Sequence, residues 1–400
     1  MRRNRLVALL LGGILGTAGG VAQAQVITLT PSLTISEGYD DNILFSSTDR
    51  QSDFVTSVIP ALRLTIKDSP WDVTLDASAR GMYYANRTEL NSSTGYQNGS
   101  LAVTFRPTPR LTATLTDTFN RSLNPADVDT ETGITTGRFT TYSNTVAPAV
   151  SYQITPLTTV GLQYAFGIFR SDSPTTPDQD THAAGLSVEH QFTPRTSGTL
   201  RYAFNRFRVE GSPDQDAHSP RIGLAYAVSP TIRISADAGV LFFEGAGGSS
   251  ETTASGSLQY TQDFSQGRFS LAYDRSAGAA GFTGVVGVSQ GITATASYTP
   301  AREVTLGVGS GVRATDEVGT LEEVRQAFFT ATATFTPARD LTLALDSGVR
   351  ITDSVNRVED FLVYEGGVRA DYRILQWLSM NASYRRTRQD DNTGPNDLDR

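Results

Sequence analysis

The chain contains no cysteine, and only three of its 400 residues are histidine. Thiol nucleophiles, disulfides and cysteine-ligated metals are therefore excluded. No GxSxG, HExxH or P-loop sequence occurs, so the common hydrolase, metalloprotease and nucleotide-binding signatures are also missing. We expect a protein that is not an enzyme and that carries no cofactor and no resident metal.

Long apolar runs are absent as well. Beyond the N-terminus no stretch approaches the roughly 18 apolar residues of a membrane-spanning helix. The mean hydropathy of -0.23 does not exclude membrane strands, because a barrel strand turns every second residue toward water. The formal net charge of -8 makes nucleic acid an unfavourable partner.

The N-terminus has the pattern of a secretory signal peptide. Arginines at positions 2, 3 and 5 precede the apolar run 6–15, and Ala22-Gln23-Ala24 is a small-x-small cleavage site. We predict a signal peptide over residues 1–24 and a single structural unit over residues 25–400. Loss of three arginines takes the formal charge from -8 to -11.

Strict alternation of apolar and polar residues dominates the rest of the chain. Residues 329, 331, 333 and 335 are Phe or Ala, whereas 330, 332 and 334 are Thr, and the alternation resumes after Asp340. This period of two predicts strands with one apolar and one polar face. Pro337, which has no N–H for a ladder, suits the tight turn between them. Similar units recur along the chain, and nineteen segments have this pattern.

The predicted fold is all-β: a transmembrane antiparallel up-and-down β-barrel of about 18–20 strands, with short periplasmic turns and longer extracellular loops. Bacterial barrels of this type have even strand numbers. Either a closing strand lies beyond residue 400, or the first segment, 26–36, is not a strand. A soluble sandwich would show the same alternation. Pro31, Pro60 and Pro148 fall inside predicted strands and weigh against a closed sheet.

The polar alternation predicts the lumen of such a barrel, and the apolar alternation predicts its lipid-facing surface. The predicted lumen residues are Arg80, Arg221, Arg233, Arg313, Arg350, Arg369, Arg385, Asp76, Asp237, Asp274, Asp346, Glu365 and Asp371. The predicted lipid-facing aromatic girdle beside the short turns is Phe105, Tyr152, Phe192, Tyr226, Tyr298, Phe335 and Tyr372. The lumen charges either pair across strands and stabilise a wet wall, or bind a passing anionic or polyhydroxylated solute.

Two neighbouring units repeat at the level of sequence. Tyr164-Ala165-Phe166 with Asp178, Asp180 and His182 recurs as Tyr202-Ala203-Phe204 with Asp214, Asp216 and His218. Such a repeat indicates growth by duplication of a hairpin. The Asp and His residues have ligand chemistry for a divalent cation, but we interpret them as solvated loop side chains.

The start of the predicted mature chain, with Tyr39-Asp40-Asp41-Asn42, followed by Tyr/Phe-x-Pro hairpins to the end, resembles the β-barrel porin type 2 family. The resemblance implies a Gram-negative outer-membrane channel that exports an exopolysaccharide in an exosortase-type system. Its partners would be outer-membrane lipid, lipopolysaccharide and periplasmic polysaccharide-export components. Two alternatives stay open: a general diffusion porin whose loop 121–138 folds inward, and a barrel without transport that acts as a surface anchor or adhesin.

Overall fold

The computed structural model describes residues 26–123, 137–173, 176–245, 250–280, 285–317, 323–355, 360–391 and 398–399. The predicted signal peptide lies outside the described residues, as does most of the predicted inward loop 121–138. The described chain is almost entirely β-structure, and Thr88–Leu90 forms one short 3-10 helix. Within these ranges, no helix has the length and apolar character needed to cross a membrane.

Nineteen long strands and one short strand follow each other along the chain. They are β1 Val26–Asp40, β2 Asp53–Asp68, β3 Trp71–Tyr84, β4 Ser92–Thr108, β5 Leu111–Ser122, β6 Thr141–Thr155, β7 Thr158–Ser171, β8 Gln179–Thr193, β9 Thr196–Val209, β10 Gln215–Ala227, β11 Ile232–Glu244, β12 Ser250–Phe264, β13 Gly267–Ala280, β14 Val285–Ala301, β15 Val304–Glu317, β16 Glu323–Ala338, β17 Leu341–Val355, β18 Phe361–Leu375, β19 Leu378–Asp391 and β20 Leu398–Asp399.

The strands form one antiparallel up-and-down sheet, in which each strand pairs with the next. The first segment is a strand, because Val26–Asp40 pairs with β2 along its whole length, so the eighteen-strand alternative is wrong. Among the described residues no pairing joins β1 to β19. A soluble sandwich needs two sheets packed through their apolar faces, and one sheet holds all the described strands here.

The connections differ at the two ends of the sheet. At one end, which we call the turn end, neighbouring strands are joined by very short turns such as 69–70 and 339–340. At the other, the loop end, connections include 41–52, 123–140 and 172–178. Pro337 is not in a turn, contrary to the prediction. It lies in a bulge between Phe335 and Ala338, just before the turn at Arg339-Asp340, where a missing N–H breaks no ladder bond.

The prolines inside strands are accommodated by local gaps in the pairing. Pairing of β2 with β3 skips from Val58 to Ala61 around Pro60, and pairing of β6 with β7 skips from Val146 to Ala149 around Pro148. Each proline therefore interrupts the sheet on one side only. Pro31 lies opposite Leu62 in β1 with no gap in its pairing to β2.

Cross-strand pairing also fixes which side chains share a face, since directly paired residues point the same way. The apolar face carries large exposed side chains such as Leu200, Ile222 and Leu345, each more than half exposed. The polar face carries Ser, Thr, Asn and many of the charged residues, whereas other charged residues, such as Arg206 and Asp216, have the apolar alternation near the loops. Exposed hydrophobic surface on this scale is typical of a membrane-facing sheet.

Candidate functional site

All thirteen predicted lumen residues lie on the polar face. Their register connects them strand by strand: Arg221 faces Arg201 and Gly239, Asp237 faces Ser257, and Ser257 faces Asp274. Farther along the sheet, Arg313 faces Gln326, and Arg350 faces Val363 on the strand of Glu365 and Arg369. The structure thus gathers these residues on one face, although they come from eight different strands.

One ionic cluster occupies the polar face of β9 to β13. The Arg221 guanidinium is 3.2 Å from Asp237 and 3.7 Å from Asp274, and it donates to Ser219 Oγ at 3.0 Å. Asp237 also accepts a hydrogen bond from Ser257. The side chains of Arg221 and Asp237 are only 13% and 8% exposed. The Arg221–Asp237 pair is therefore the buried part of the cluster, where removal of one partner leaves an uncompensated charge.

A second ionic cluster lies on β17 to β19. Arg350 pairs with Glu365 at 3.1 Å, and Arg385 reaches Asp346 at 3.0 Å and Glu365 at 3.9 Å. Closer to the turn end, Arg369 and Asp371 pair at 2.7 Å, but these side chains are 60% and 34% exposed. Most predicted lumen charges are thus ion-paired, as the first of the two interpretations expects.

Two of the other predicted arginines have different surroundings. Arg80 lies over the ring of Tyr96, with its guanidinium carbon 5.4 Å from the centroid, which is cation–π geometry. Arg233 faces Ala227 and Thr261 near the turn end.

The sequence prediction missed three polar-face contacts made by arginines, two of them in the cluster of β9 to β13. Arg63 donates to Asp76 at 2.5 Å, and Arg201 lies 3.6 Å from Asp237. Both arginines have the polar alternation, so the sequence pattern could have identified them as polar-face residues. Arg275 has the apolar alternation, yet it donates to Thr253 on the polar face of β12 at 2.8 Å. The local pattern could not show this contact.

A neutral sector lies beside the ionic clusters. On β5, β6 and β7 the described polar-face side chains carry no charge, and most are Thr, Ser, Asn or Gln, with Asn120 and Ser143 as an example of a direct pair. Asn120 donates to Asn98 at 2.6 Å. A cavity of about 580 Å³ lies next to this sector, over β1 to β5, and reaches Ser143 of β6. Its polar lining includes Thr30, Ser32, Ser78, Asn98, Ser100, Thr118, Asn120, Ser143 and the Arg63–Asp76 pair.

The polar face is covered at the loop end and open at the turn end. Among described strand residues, the buried hydrophobic and polar side chains lie on the polar face near the loops, except for Val286 and Val288. They are Asp53, Val55, Tyr84, Tyr96, Ser122, Thr141, Phe207, Val209, Gln215, Ala217, Ser219, Leu241, Phe243, Ser255, Thr315, Val324, Thr352, Ser354, Phe361, Val363 and Gln389. By contrast, Arg369 and Arg63 toward the turn end are well exposed.

One cover comes from the sheet itself. Pairing between β12 and β13 ends at Gly256 and Arg275, although both strands continue. Beyond this point β13 stays paired with β14, and the two strands turn onto the polar face as a unit, the β13–β14 cover (275–280 and 285–290). Its Val286 and Val288 pack with Ala217, Leu241 and Phe243 in a cluster of side chains that are at most 8% exposed.

Arg221 connects the ionic cluster to this cover. Its Nη2 donates to the carbonyl oxygen of Arg275 at 2.9 Å, at the residue where β13 leaves β12. The Arg275 side chain in turn donates to Thr253 and to Gln290. The charge network therefore holds the base of the cover, and the apolar cluster holds its tip.

A second cover is the first loop, residues 41–52, which we call the loop cover. Ile43 is 1% exposed and packs on Val55 and Tyr84 of the polar face. Arg138, from the described end of the predicted inward loop, donates to Tyr84 Oη at 2.6 Å. At least this end of that loop therefore contacts the polar face.

Asp53 anchors the connections around the loop cover. It lies at the loop end, beyond the outermost aromatic side chains of the apolar face, and its carboxylate accepts hydrogen bonds from Asn86, Arg87 and its neighbour Phe54. Burial acts to raise the pKa of Asp53, but the backbone N–H groups of Arg87 and Asn86, with the others, hold it below its ordinary value of 3.8.

The apolar face has two rows of aromatic side chains. All seven predicted girdle residues are on this face near the turns, and Phe105 stacks on Trp71 with centroids 4.1 Å apart. The prediction did not include a second row near the loops, which contains Tyr39, Phe54, Tyr83, Tyr142, Phe242 and Tyr364. Two such rows are typical of the two interfaces of a membrane.

The repeated Asp and His residues are engaged within the protein. Tyr164 and Tyr202 hydrogen-bond to His182 and His218 at 2.8 and 2.7 Å. Arg170 and Arg206 pair with Asp180 and Asp216, each at 2.6 Å. Within the described part of the chain no three His, Asp or Glu side chains come together as a metal site would require.

These features are an antiparallel meander with an exposed apolar face, a polar face and two aromatic rows, as in the wall of an outer-membrane β-barrel. Solved structures share this arrangement. The FrpB iron transporter from Neisseria meningitidis (F5-1 variant, apoprotein form) matches with a TM-score of 0.52 and 7% identity, over 94% of this chain and 75% of that chain. The siderophore receptor PirA from Pseudomonas aeruginosa matches with a TM-score of 0.50 and 11% identity, over 90% of this chain and 70% of that chain.

At these identities the likeness concerns the fold alone. It supports the predicted outer-membrane location, since the similar structures are outer-membrane β-barrels of Gram-negative bacteria. No protein-family model and no curated protein sequence matches this chain, so the resemblance to the β-barrel porin type 2 family stays a prediction.

Proposed function

We propose that this protein is an outer-membrane channel that exports an exopolysaccharide, with the polar face as its lumen and the apolar face in lipid. The proposal includes closure of the sheet into a barrel, because lipid offers no partner for the backbone groups of a free strand edge. It also includes the orientation with periplasmic turns and extracellular loops. Lipid, lipopolysaccharide and periplasmic polysaccharide-export components are the proposed partners.

The neutral sector is the observation that carries the choice of substrate. Hydroxyl and amide side chains both donate and accept hydrogen bonds, as the hydroxyl groups of a sugar do. A wall of such groups offers a polyhydroxylated chain many similar hydrogen bonds without a strong charge to hold it in one place. Conduction requires binding that is favourable enough for entry and weak enough for exit.

The ionic clusters add a different kind of contact. Arg385 and Arg369 are about 60% exposed on the same face and lie within reach of acidic groups on a passing polymer. Because their partners are carboxylates of the same wall, the local net charge is small. This arrangement suits a polymer with both neutral and acidic sugars better than it suits an anion-selective pore.

A general diffusion porin is the second candidate, and the loop cover favours it. Arg138 and Ile43 meet over Tyr84 on the polar face, as a constriction over a pore would. The third candidate, an anchor or adhesin without transport, would need no open path at all.

Two measurements separate these functions. Purified protein in planar bilayers should conduct, and oligosaccharide fragments of the secreted polymer should block the current. The double variant Asn98→Ala with Asn120→Ala should weaken this block more than Arg369→Gln does. If neither the wild type nor a variant with a disrupted cover conducts, the third candidate, an anchor or adhesin without transport, is the remaining function. If the protein conducts but deletion of its gene leaves secreted polysaccharide unchanged, the diffusion porin replaces the exporter.

A further inference from the structure

The β13–β14 cover has the alternation of a wall segment, although it lies over the polar face. Ala277 pairs with Val288 on the apolar parity, and Ser276 pairs with Ser289 on the polar parity. The apolar side of the cover packs against the buried cluster on β9 to β11. Lipid would suit the same side equally well, so the sequence of the cover is compatible with two positions.

The strands β12 and β13 are in register for further pairing beyond the point where they separate. Their nine pairs run from Phe264 with Gly267 to Gly256 with Arg275 without a bulge. Continued toward the loop end, this register places Ser255 opposite Ser276 and Ala254 opposite Ala277. The two serines share the polar parity and the two alanines share the apolar parity, so these pairs match in character.

We propose that the β13–β14 cover is a gate with a second position, in which residues 276–280 pair with residues 250–255 and the cover becomes part of the wall. In the observed position no described pairing joins these two segments. Since β15 stays paired with β14 as far as Glu317, its upper end moves with the cover. The role of a gate rests on the proposed function as a channel, whereas the second position itself does not.

Each position keeps a contribution that the other loses. The observed position buries Leu241 and Phe243, which are 0% and 1% exposed although they lie on the polar parity of β11. It also leaves the backbone groups along one edge of each strand outside the β12–β13 ladder. The second position restores this ladder but exposes the two large apolar side chains to water. The observed position is therefore the resting state, and the second position is a minor state.

Arg275 is a latch for the observed position. It lies on the apolar parity of β13, yet its Nη2 donates at 2.8 Å to Thr253 Oγ1 on the polar parity of β12. In a continuous wall these two side chains would point to opposite faces, so this hydrogen bond requires the strands to be separated. Arg275 Nε is buried and has no hydrogen-bond partner among the described residues, so the latch is incompletely satisfied.

Pairs of cysteines test the second position, because the chain has no cysteine of its own. Ala254→Cys with Ala277→Cys should form a disulfide in oxidised membranes, since opposed residues of an antiparallel pair lie within disulfide range. Leu258→Cys with Tyr273→Cys, which already face each other, is the positive control. Thr252→Cys with Ala277→Cys, on the same parity but two residues out of register, is the negative control.

Removal of the latch gives a second test. Arg275→Ala, added to the cysteines at 254 and 277, should accelerate formation of the disulfide about tenfold, because the observed position loses a hydrogen bond from a charged donor. In planar bilayers the oxidised pair should carry a larger current than the wild type, and a reductant should reverse the increase.

Gel mobility reports the disulfide whether or not the protein conducts. If the positive control forms its disulfide and the pair at 254 and 277 does not, or if the negative control cross-links equally well, the second position is wrong. If the wild type conducts and the disulfide leaves its current unchanged, the gate is wrong. Failure of every variant to conduct would instead contradict the proposed channel function.

Discussion

The polar face differs along the strands in how far its ion pairs are exposed to water. At the turn end Arg369 and Asp371 form an ion pair in contact with water. At the middle of β10 and β11, below the cluster in which Leu241 is fully buried, Arg221 and Asp237 form one that is almost completely covered. The polar face is thus exposed toward the turn end and covered by packed side chains from mid-sheet to the loop end.

The strongest way to break this difference is to empty the apolar cluster. Phe243 is 1% exposed and packs with Val286 and Val288 of the β13–β14 cover. Phe243→Ala should destabilise the covered state by about 3–5 kcal/mol, a change of roughly a hundredfold or more in its population. Bilayer recordings should then show a larger or more frequent open current. Phe329→Ala, on the exposed apolar face, is the control, and an unchanged current in both variants would contradict a closing role for the cover.

A comparison of two arginines sharpens the difference. Arg221→Gln leaves Asp237 short of its closest arginine in a covered site, which should lower the free energy of unfolding by about 3 kcal/mol. Arg369→Gln removes an exposed ion pair and should lower the free energy of unfolding by less than about 1 kcal/mol. Urea titration of both variants in the same detergent measures the two effects. Equal shifts of the midpoint would mean that the Arg221–Asp237 site is as accessible to water as the Arg369–Asp371 pair.

The smallest expected effect is the response of the loop cover to acid. Because its folded-state pKa lies below 3.8, the Asp53 carboxylate stabilises the folded loop end above that value and loses this contribution as the pH falls through the lowered pKa. Hydrogen exchange at Ile43, corrected for the intrinsic effect of pH, should accelerate below about pH 3.8, while exchange in β17 should not. Asp53→Asn should exchange faster at neutral pH and lack the acid step. An acid step retained in that variant would assign the effect to another group.

Strand positions and faces could be predicted from the sequence because both depend on local alternation. All seven girdle residues and all thirteen charged residues are on the predicted faces, and the observed strands begin or end within a few residues of the predicted segments at most boundaries. The chain exposes large apolar side chains along one parity and places all the predicted lumen charges on the other, which a period of two reveals directly.

The covers could not be predicted in this way. Val286 and Val288 have the same alternation as Ile292, which is exposed on the apolar face. Lipid and a protein interior both select apolar side chains, so the pattern does not distinguish them. Arg275 was a local sign of the β13–β14 cover, because a guanidinium with the apolar alternation needs hydrogen-bond acceptors, which Gln290 and Thr253 provide. The contact between Arg138 and Tyr84 joins distant parts of the chain and has no signature in either segment.

The β13–β14 cover also has a consequence for how the protein changes over evolutionary time. Every residue of its cluster lies between Phe207 and Val288, so the closing device and the wall that receives it are inherited as one continuous stretch. Duplication or exchange of a hairpin elsewhere would alter the width of the sheet but would not separate the β13–β14 cover from the strands on which it packs. Sheets of different width built from this chain would thus keep the same cover over the polar face.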